Sequence, residues 1–155
     1  MSFEDRSLQL VTDLELPSSL DSVDVAENHV IETAAKAGLS EDDTFRFGYA
    51  VREAMVNAVV HGNRYNSNKT VTFRLYATTG CLEVFIRDHG DGFNAGGVAD
   101  PLAEENLLSQ SGRGLALIKA FVDEIELSAA EGGGTRVILR KFVKAGTNDP
   151  SIVSE

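Results

Sequence analysis

Residues 50–63 read AVREAMVNAVVHGN, and the rest of the chain is organised around them. As a helix, this stretch lines up Val51, Ala54, Met55, Ala58 and Val59 as an apolar stripe, which is what a packed helix needs. Glu53 and Asn57 then fall one turn apart on a common side, because residues four apart stack on one helix face. Core packing does not call for a carboxylate and an amide there. Such a pair is either solvated surface, its ordinary role when taken alone, or the wall of a site.

The chain outward from this helix suits one folded domain. It has 155 residues, 43% hydrophobic and 25% charged, enough for a full core and ordinary for a globular protein. We expect one domain over residues 1–144 and a frayed tail over 145–155. The net charge of −10 argues against binding nucleic acid directly, which rests on Lys and Arg neutralising phosphates. A single cysteine, Cys81, beside Gly80 in a turn-like position, cannot form an internal disulfide and fits a reducing compartment. The first residues lack a secretory pattern, and no apolar run reaches the length of a membrane span, so a cytoplasmic location without membrane attachment is expected.

Before the central stretch, residues 7–14 alternate loosely as a strand and end at a Pro17-Ser18-Ser19 break. Val23, Ala26, Val30 and Ala34 recur at helical spacing, with Gly38 as a stop. Ser40 can cap a second helix whose first turn is acidic, and this helix runs on to Gly62-Asn63. Residues 70–78 and 82–87 alternate around a Thr79-Gly80 turn as a hairpin. Nearly 20 residues without periodicity come next, a length typical of a lid or a disordered segment. Helical spacing returns from Gly114, and a hairpin over 125–129 and 135–142 closes the domain around the Glu131-Gly132-Gly133-Gly134 turn. The expected class is α+β: a two-layer α/β sandwich, its mostly antiparallel mixed sheet covered on one face by three helices.

Two glycine-rich segments read either as structural punctuation, an Asx-type turn and a capped helix entry, or as ligand sites. Asp88-His89-Gly90-Asp91-Gly92 directly follows a strand. Its glycines let a ligand approach the main chain, and Asp88 can accept a hydrogen bond from an exocyclic amine. That bond, worth about 1.5–3 kcal/mol in a buried site, would favour adenine over guanine. Ser111-Gly112-Arg113-Gly114 opens a helix, where free amides attract anions and Arg113 adds a charge. Glu53 can take a proton from an attacking hydroxyl, and the amide oxygen of Asn57 suits Mg²⁺. Neither His29, His61 nor His89 builds a metal cluster, and His61 reads as a packing or capping residue.

ExxxN on a helix, DxGxG after a strand, a lid, GRG opening a helix and a closing Gly-Gly-Thr turn together resemble the GHKL, or Bergerat-fold, ATPases. The run ENLLSQSGRGLALIKAFVDEI is similar to the stand-alone serine kinases that act as anti-sigma factors in bacterial partner switching. The resemblance covers about residues 8–142. It implies that Glu53 is the general base and Asn57 the ligand of Mg²⁺. Asp88 would read adenine, with Gly90 and Gly92 forming the adjoining turn. Gly112, Arg113 and Gly114 would meet the phosphates of ATP, and Thr135 would support the adenine end. Residues 94–109 hold acids and no base, so phosphate contacts fall to backbone and Arg113. The implied activity is phosphorylation of a small anti-anti-sigma protein of the STAS type, with sequestration of a sigma factor and formation of a homodimer as further possibilities. The alternatives are an ATP-dependent binding switch without useful catalysis and the catalytic module of a histidine kinase. A chaperone- or gyrase-type hydrolase would need further domains.

Overall fold

The computed structural model describes residues 8–90 and 114–144. Among the described residues, five strands form one sheet: β1 (Gln9–Pro17), β2 (Thr70–Thr78), β3 (Cys81–Arg87), β4 (Glu124–Ala129) and β5 (Thr135–Phe142), in the order β1-β2-β3-β5-β4. All four pairings are antiparallel. Three helices, α1 (Leu20–Lys36), α2 (Glu41–Val56) and α3 (Gly114–Phe121), complete the α+β sandwich.

Alternation along the strands decides which face the helices cover. Leu14 and Leu16, Val71, Phe73 and Leu75, Leu82, Val84 and Ile86, and Val137 and Leu139 all join the core, and the residues between them point the other way. The helices supply the opposing layer through Val23, Ala26, Val30 and Ala34 of α1, Phe47, Ala50, Val51, Ala54 and Met55 of α2, and Ile118 of α3. Gly48 lets α1 and α2 approach closely, since a Cβ there would lie 2.8 Å from Ile31 Cγ1. Arg52 ties the same pair on the outside, with Nη1 donating to Asp24 and Glu27 at 2.8 Å each. Tyr49 of α2 meets the ring of Phe121 edge-on at 6.0 Å, which seats α3 against α2.

The helix boundaries reflect the local chemistry. Ser40 accepts a bond from the Asp43 amide, as its N-cap position predicts. At the end of α1, Leu39 N–H donates to Ala34 carbonyl and Gly38 N–H to Ala35 carbonyl, the paired bonds of a Schellman stop.

Three features differ from expectation. β1 runs on to Pro17, because it is an edge strand and proline's missing N–H costs no ladder bond there. Cys81 is no turn residue: it pairs with Thr78 and Phe142 inside β3 and is buried, and burial pushes its thiol up to about 12. The end of the central helix departs from α geometry: residues Asn57–Gly62 form a π-helical turn, with Asn63 N–H reaching back five residues to the Ala58 carbonyl.

The face away from the helices is polar. Arg140 pairs there with Glu83, Glu124 and Glu126, while Glu15 accepts from Thr70 and Thr72. Phe47 is fully buried between the layers. Phe47→Ala is expected to cost about 3–5 kcal/mol of stability. Guanidinium unfolding checks this: the midpoint should fall with little change in slope.

Candidate functional site

The central helix keeps its α register as far as the polar pair needs it. Asn57 N–H still donates to the Glu53 carbonyl, so Glu53 and Asn57 stack on one side, both half-buried rather than fully solvated. Only beyond Asn57 does the helix widen. The additional residue in the turn rotates the later residues by about 100°, one residue's share of an α-turn. His61 is left exposed, contrary to the packing role expected of it, and Gly62 is brought against the end of β3.

That end carries Asp88, which is 6% exposed. Its Oδ1 accepts from Gly90 N–H at 3.0 Å and from Thr135 N–H at 3.2 Å, and its own N–H donates to the Thr135 carbonyl at 3.1 Å. Among the described residues none donates to Oδ2. Burial raises the carboxyl pKa above its ordinary value, with the two backbone N–H groups opposing part of the rise.

Glycine makes this arrangement possible by close approach. A Cβ on Gly90 would overlap the carbonyl of Gly62, and one on Gly134 would overlap the carbonyl of Asp88. Gly134 also has φ +92°, a left-handed conformation that a side chain would strain. Residues 88–90 are therefore held between the helix end on one side and the turn before β5 on the other. Arg87 fastens that turn, its Nη2 donating to the carbonyls of Glu131 at 2.9 Å and Gly133 at 3.3 Å.

Of the residues singled out from the sequence, Asp88, Gly90 and Thr135 are joined by direct hydrogen bonds. Glu53 and Asn57 occupy the helix whose end abuts Asp88, and Gly114 begins α3, buried against the core. Gly92, Gly112, Arg113 and the lid lie outside the described residues. Sequence reasoning misses Asn63. It is 2% exposed, its Oδ1 accepts from His89 N–H at 2.8 Å, and its Nδ2 donates to Ser18 Oγ at 2.9 Å and to the Thr70 carbonyl at 3.0 Å. An asparagine just after a helix stop reads as a turn residue, so nothing local marks it.

The arrangement offers a desolvated acceptor beside exposed backbone turns, which suits the amine edge of a base. It also offers a carboxylate–amide pair that suits a proton transfer and a hard cation. Among the described residues no three His, Cys, Asp or Glu side chains converge on a metal position. Mg²⁺ in phosphoryl-transfer sites takes only one or two protein ligands and completes its shell with phosphates and water, so Asn57 fits that demand. No helix among the described residues is long and apolar enough to cross a membrane.

Known proteins resemble this chain in sequence and in fold. An anti-sigma F factor of Bacillus thuringiensis (strain Al Hakam) is 33% identical over 95 residues, covering 60% of this chain, and that of Bacillus mycoides (strain KBAB4) matches to the same extent. The matched region spans 65% of the length of those relatives. Among solved structures, the RsbU and RsbW domains of Rv1364c from Mycobacterium tuberculosis superpose with a TM-score of 0.59 at 19% identity, over 86% of this chain and 33% of that one. A chain of the SiaB–SiaC complex from Pseudomonas aeruginosa superposes with a TM-score of 0.52 at 10% identity, over 91% of this chain and 92% of that one. Both likenesses concern the fold. The sequence model of the histidine kinase-like ATPase domain matches residues 16–141, from the end of β1 to the end of β5, and the chain belongs to that family.

Proposed function

We propose that this protein is an ATP-dependent serine/threonine protein kinase of the cytoplasm that serves as an anti-sigma factor and phosphorylates a small STAS-type protein. The observation that carries the reading is the buried Asp88 carboxylate, held by Gly90 and Thr135 at the end of the helix that bears Glu53 and Asn57. The choice of partner is supported by the likeness to anti-sigma F factors.

In this reading Asp88 accepts from the exocyclic amine of adenine through the carboxylate oxygen that faces no described donor. Asn57 would hold Mg²⁺, which when bound would supply neutralisation of phosphate charge. Glu53 takes the proton from the substrate hydroxyl as its oxygen bonds to the γ-phosphorus and the bond to ADP breaks. Phosphoryl transfer asks mainly for positioning and charge stabilisation, so this sparse set of groups suffices.

Two measurements test it. Transfer of labelled γ-phosphate to a STAS-domain protein should fall by about 10²–10⁴-fold in Glu53→Ala, the usual worth of a positioned base. Equal rates in parent and variant would remove Glu53 from the chemistry. Partner binding under saturating Mg-ATP without transfer would reassign the chain as a binding switch, and an acid-labile phosphate on the chain itself would reassign it as a histidine-kinase module.

The second measurement uses the ionisation of Asp88. Its folded pKa lies above the ordinary 3.8, so the native state holds the proton to higher pH than the unfolded chain does. This group's contribution to stability is complete below 3.8 and is lost as pH rises through the raised value. Asp88→Asn cannot ionise, so its melting temperature relative to the parent should climb across that interval. The variant should nevertheless lose ATP binding, because an amide N–H₂ would meet the adenine amine where an acceptor is required. Retained ATP affinity would rule Asp88 out as the adenine reader.

A further inference from the structure

The amide of Asn63 divides its two ends between different tasks. Its Nδ2 end donates to Ser18 Oγ, between β1 and α1, and to the Thr70 carbonyl at the start of β2. Ser18 in turn donates to the Lys69 carbonyl, closing a small network at that corner. Its Oδ1 end does something else. It accepts from His89 N–H, the middle one of three consecutive amides that fix residues 88–90. Asp88 N–H is held by Thr135 and Gly90 N–H by Asp88 itself, so Asn63 supplies the one anchor that comes from the central helix. The orientation of the amide is fixed, because one end faces an N–H and the other a carbonyl.

The chain on either side of Asn63 has unusual backbone geometry. The helix widens into a π-turn just before it, and Arg64 and Tyr65 after it have φ of 53° and 59°, left-handed conformations that non-glycine residues seldom adopt. Strain of this kind persists only where surrounding structure enforces it; here Tyr65 N–H donates to the Val59 carbonyl at 2.9 Å and Asn66 N–H to the Asn63 carbonyl at 3.0 Å, beside the bonds of the buried Asn63 side chain.

The geometry points to Asn63 as a positioning residue for the nucleotide, one that sets the distance between the acceptor Asp88 and the helix bearing Glu53 and Asn57, and thereby selectivity for adenine. This rests on the proposed nucleotide site. It assigns the role to the Oδ1 end alone.

ATP and GTP binding to the full chain, with melting temperatures, tests it in four proteins: parent, Asn63→Ala, Asn63→Asp and Ser18→Ala. Asn63→Ala should weaken ATP about tenfold, the equivalent of one hydrogen bond, and narrow the ratio of ATP to GTP affinity. Asn63→Asp keeps the acceptor for His89 but sets a carboxylate oxygen against the Thr70 carbonyl. It should melt below the parent and still bind ATP more tightly than Asn63→Ala. Ser18→Ala should lower the melting temperature and leave both nucleotide affinities unchanged. Parent-like ATP affinity and selectivity in Asn63→Ala would overturn the inference. So would a loss of ATP affinity in Ser18→Ala matching that of Asn63→Ala, which reduces Asn63 to a structural part. A parent that binds no ATP would defeat the nucleotide reading itself, an outcome visible before any variant is compared.

Discussion

Three segments of backbone meet at Asp88 at distances that leave no room for side chains, and the rest of the site depends on that contact. The carbonyl of Gly62 fills the space where Gly90 would carry a Cβ, and the Asp88 carbonyl does the same for Gly134. A buried carboxylate is costly unless hydrogen-bonded. Here the close approach delivers the required donors, because it brings the Thr135 and Gly90 amides within reach of one oxygen. The site is thus held by main chain, with side chains added where chemistry needs them. Among the described residues no side-chain hydrogen bond ties down Glu53 or Asn57 on the central helix.

The sandwich architecture exists to bring these segments together. β3 and β5 are neighbours in the sheet although about 50 residues separate them, as the pairing of Arg87 with Arg136 shows. Their ends place Asp88 beside Thr135. The helix layer is fixed to the sheet by an uninterrupted apolar interface, and Arg52 locks α1 to α2 on the side remote from the sheet. Gly62 consequently arrives at the same corner from the other layer.

Much of this is legible in the sequence, for physical reasons that can be named. Alternation of period two locates the first three strands, the glycine turn at 131–134 the closing hairpin, and period 3.6 the three helices, because each element has one wet and one dry face. Ser40 and Gly38 mark helix ends through capping chemistry that depends on a few neighbouring residues. Glu53, Asp88 and Thr135 are picked out by the company of other motifs, since none has a local pattern that excludes surface. What escapes is what depends on distant partners. The π-turn precedes Asn63, whose side chain bonds with Ser18, Thr70 and His89, three places no window of sequence contains. Cys81 looks like a turn residue because only its pairing with Phe142 shows it inside the sheet. Residues 7–14 read as the whole of the first strand because Pro17 is a breaker in general, and only its edge position makes it harmless.

The separation between Asp88 and Thr135 also bears on when, during folding, the protein becomes competent. The bond that joins them spans 47 positions, whereas the β2–β3 hairpin and the α1–α2 pair close over much shorter loops. Long-range pairings are entropically the slowest to form. A chain with its helices and first hairpin in place would still present Asp88 without its Thr135 donor. On the proposed role of Asp88, such an intermediate would lack the formed nucleotide site, so ligand added during folding would pull only on molecules that have completed the sheet.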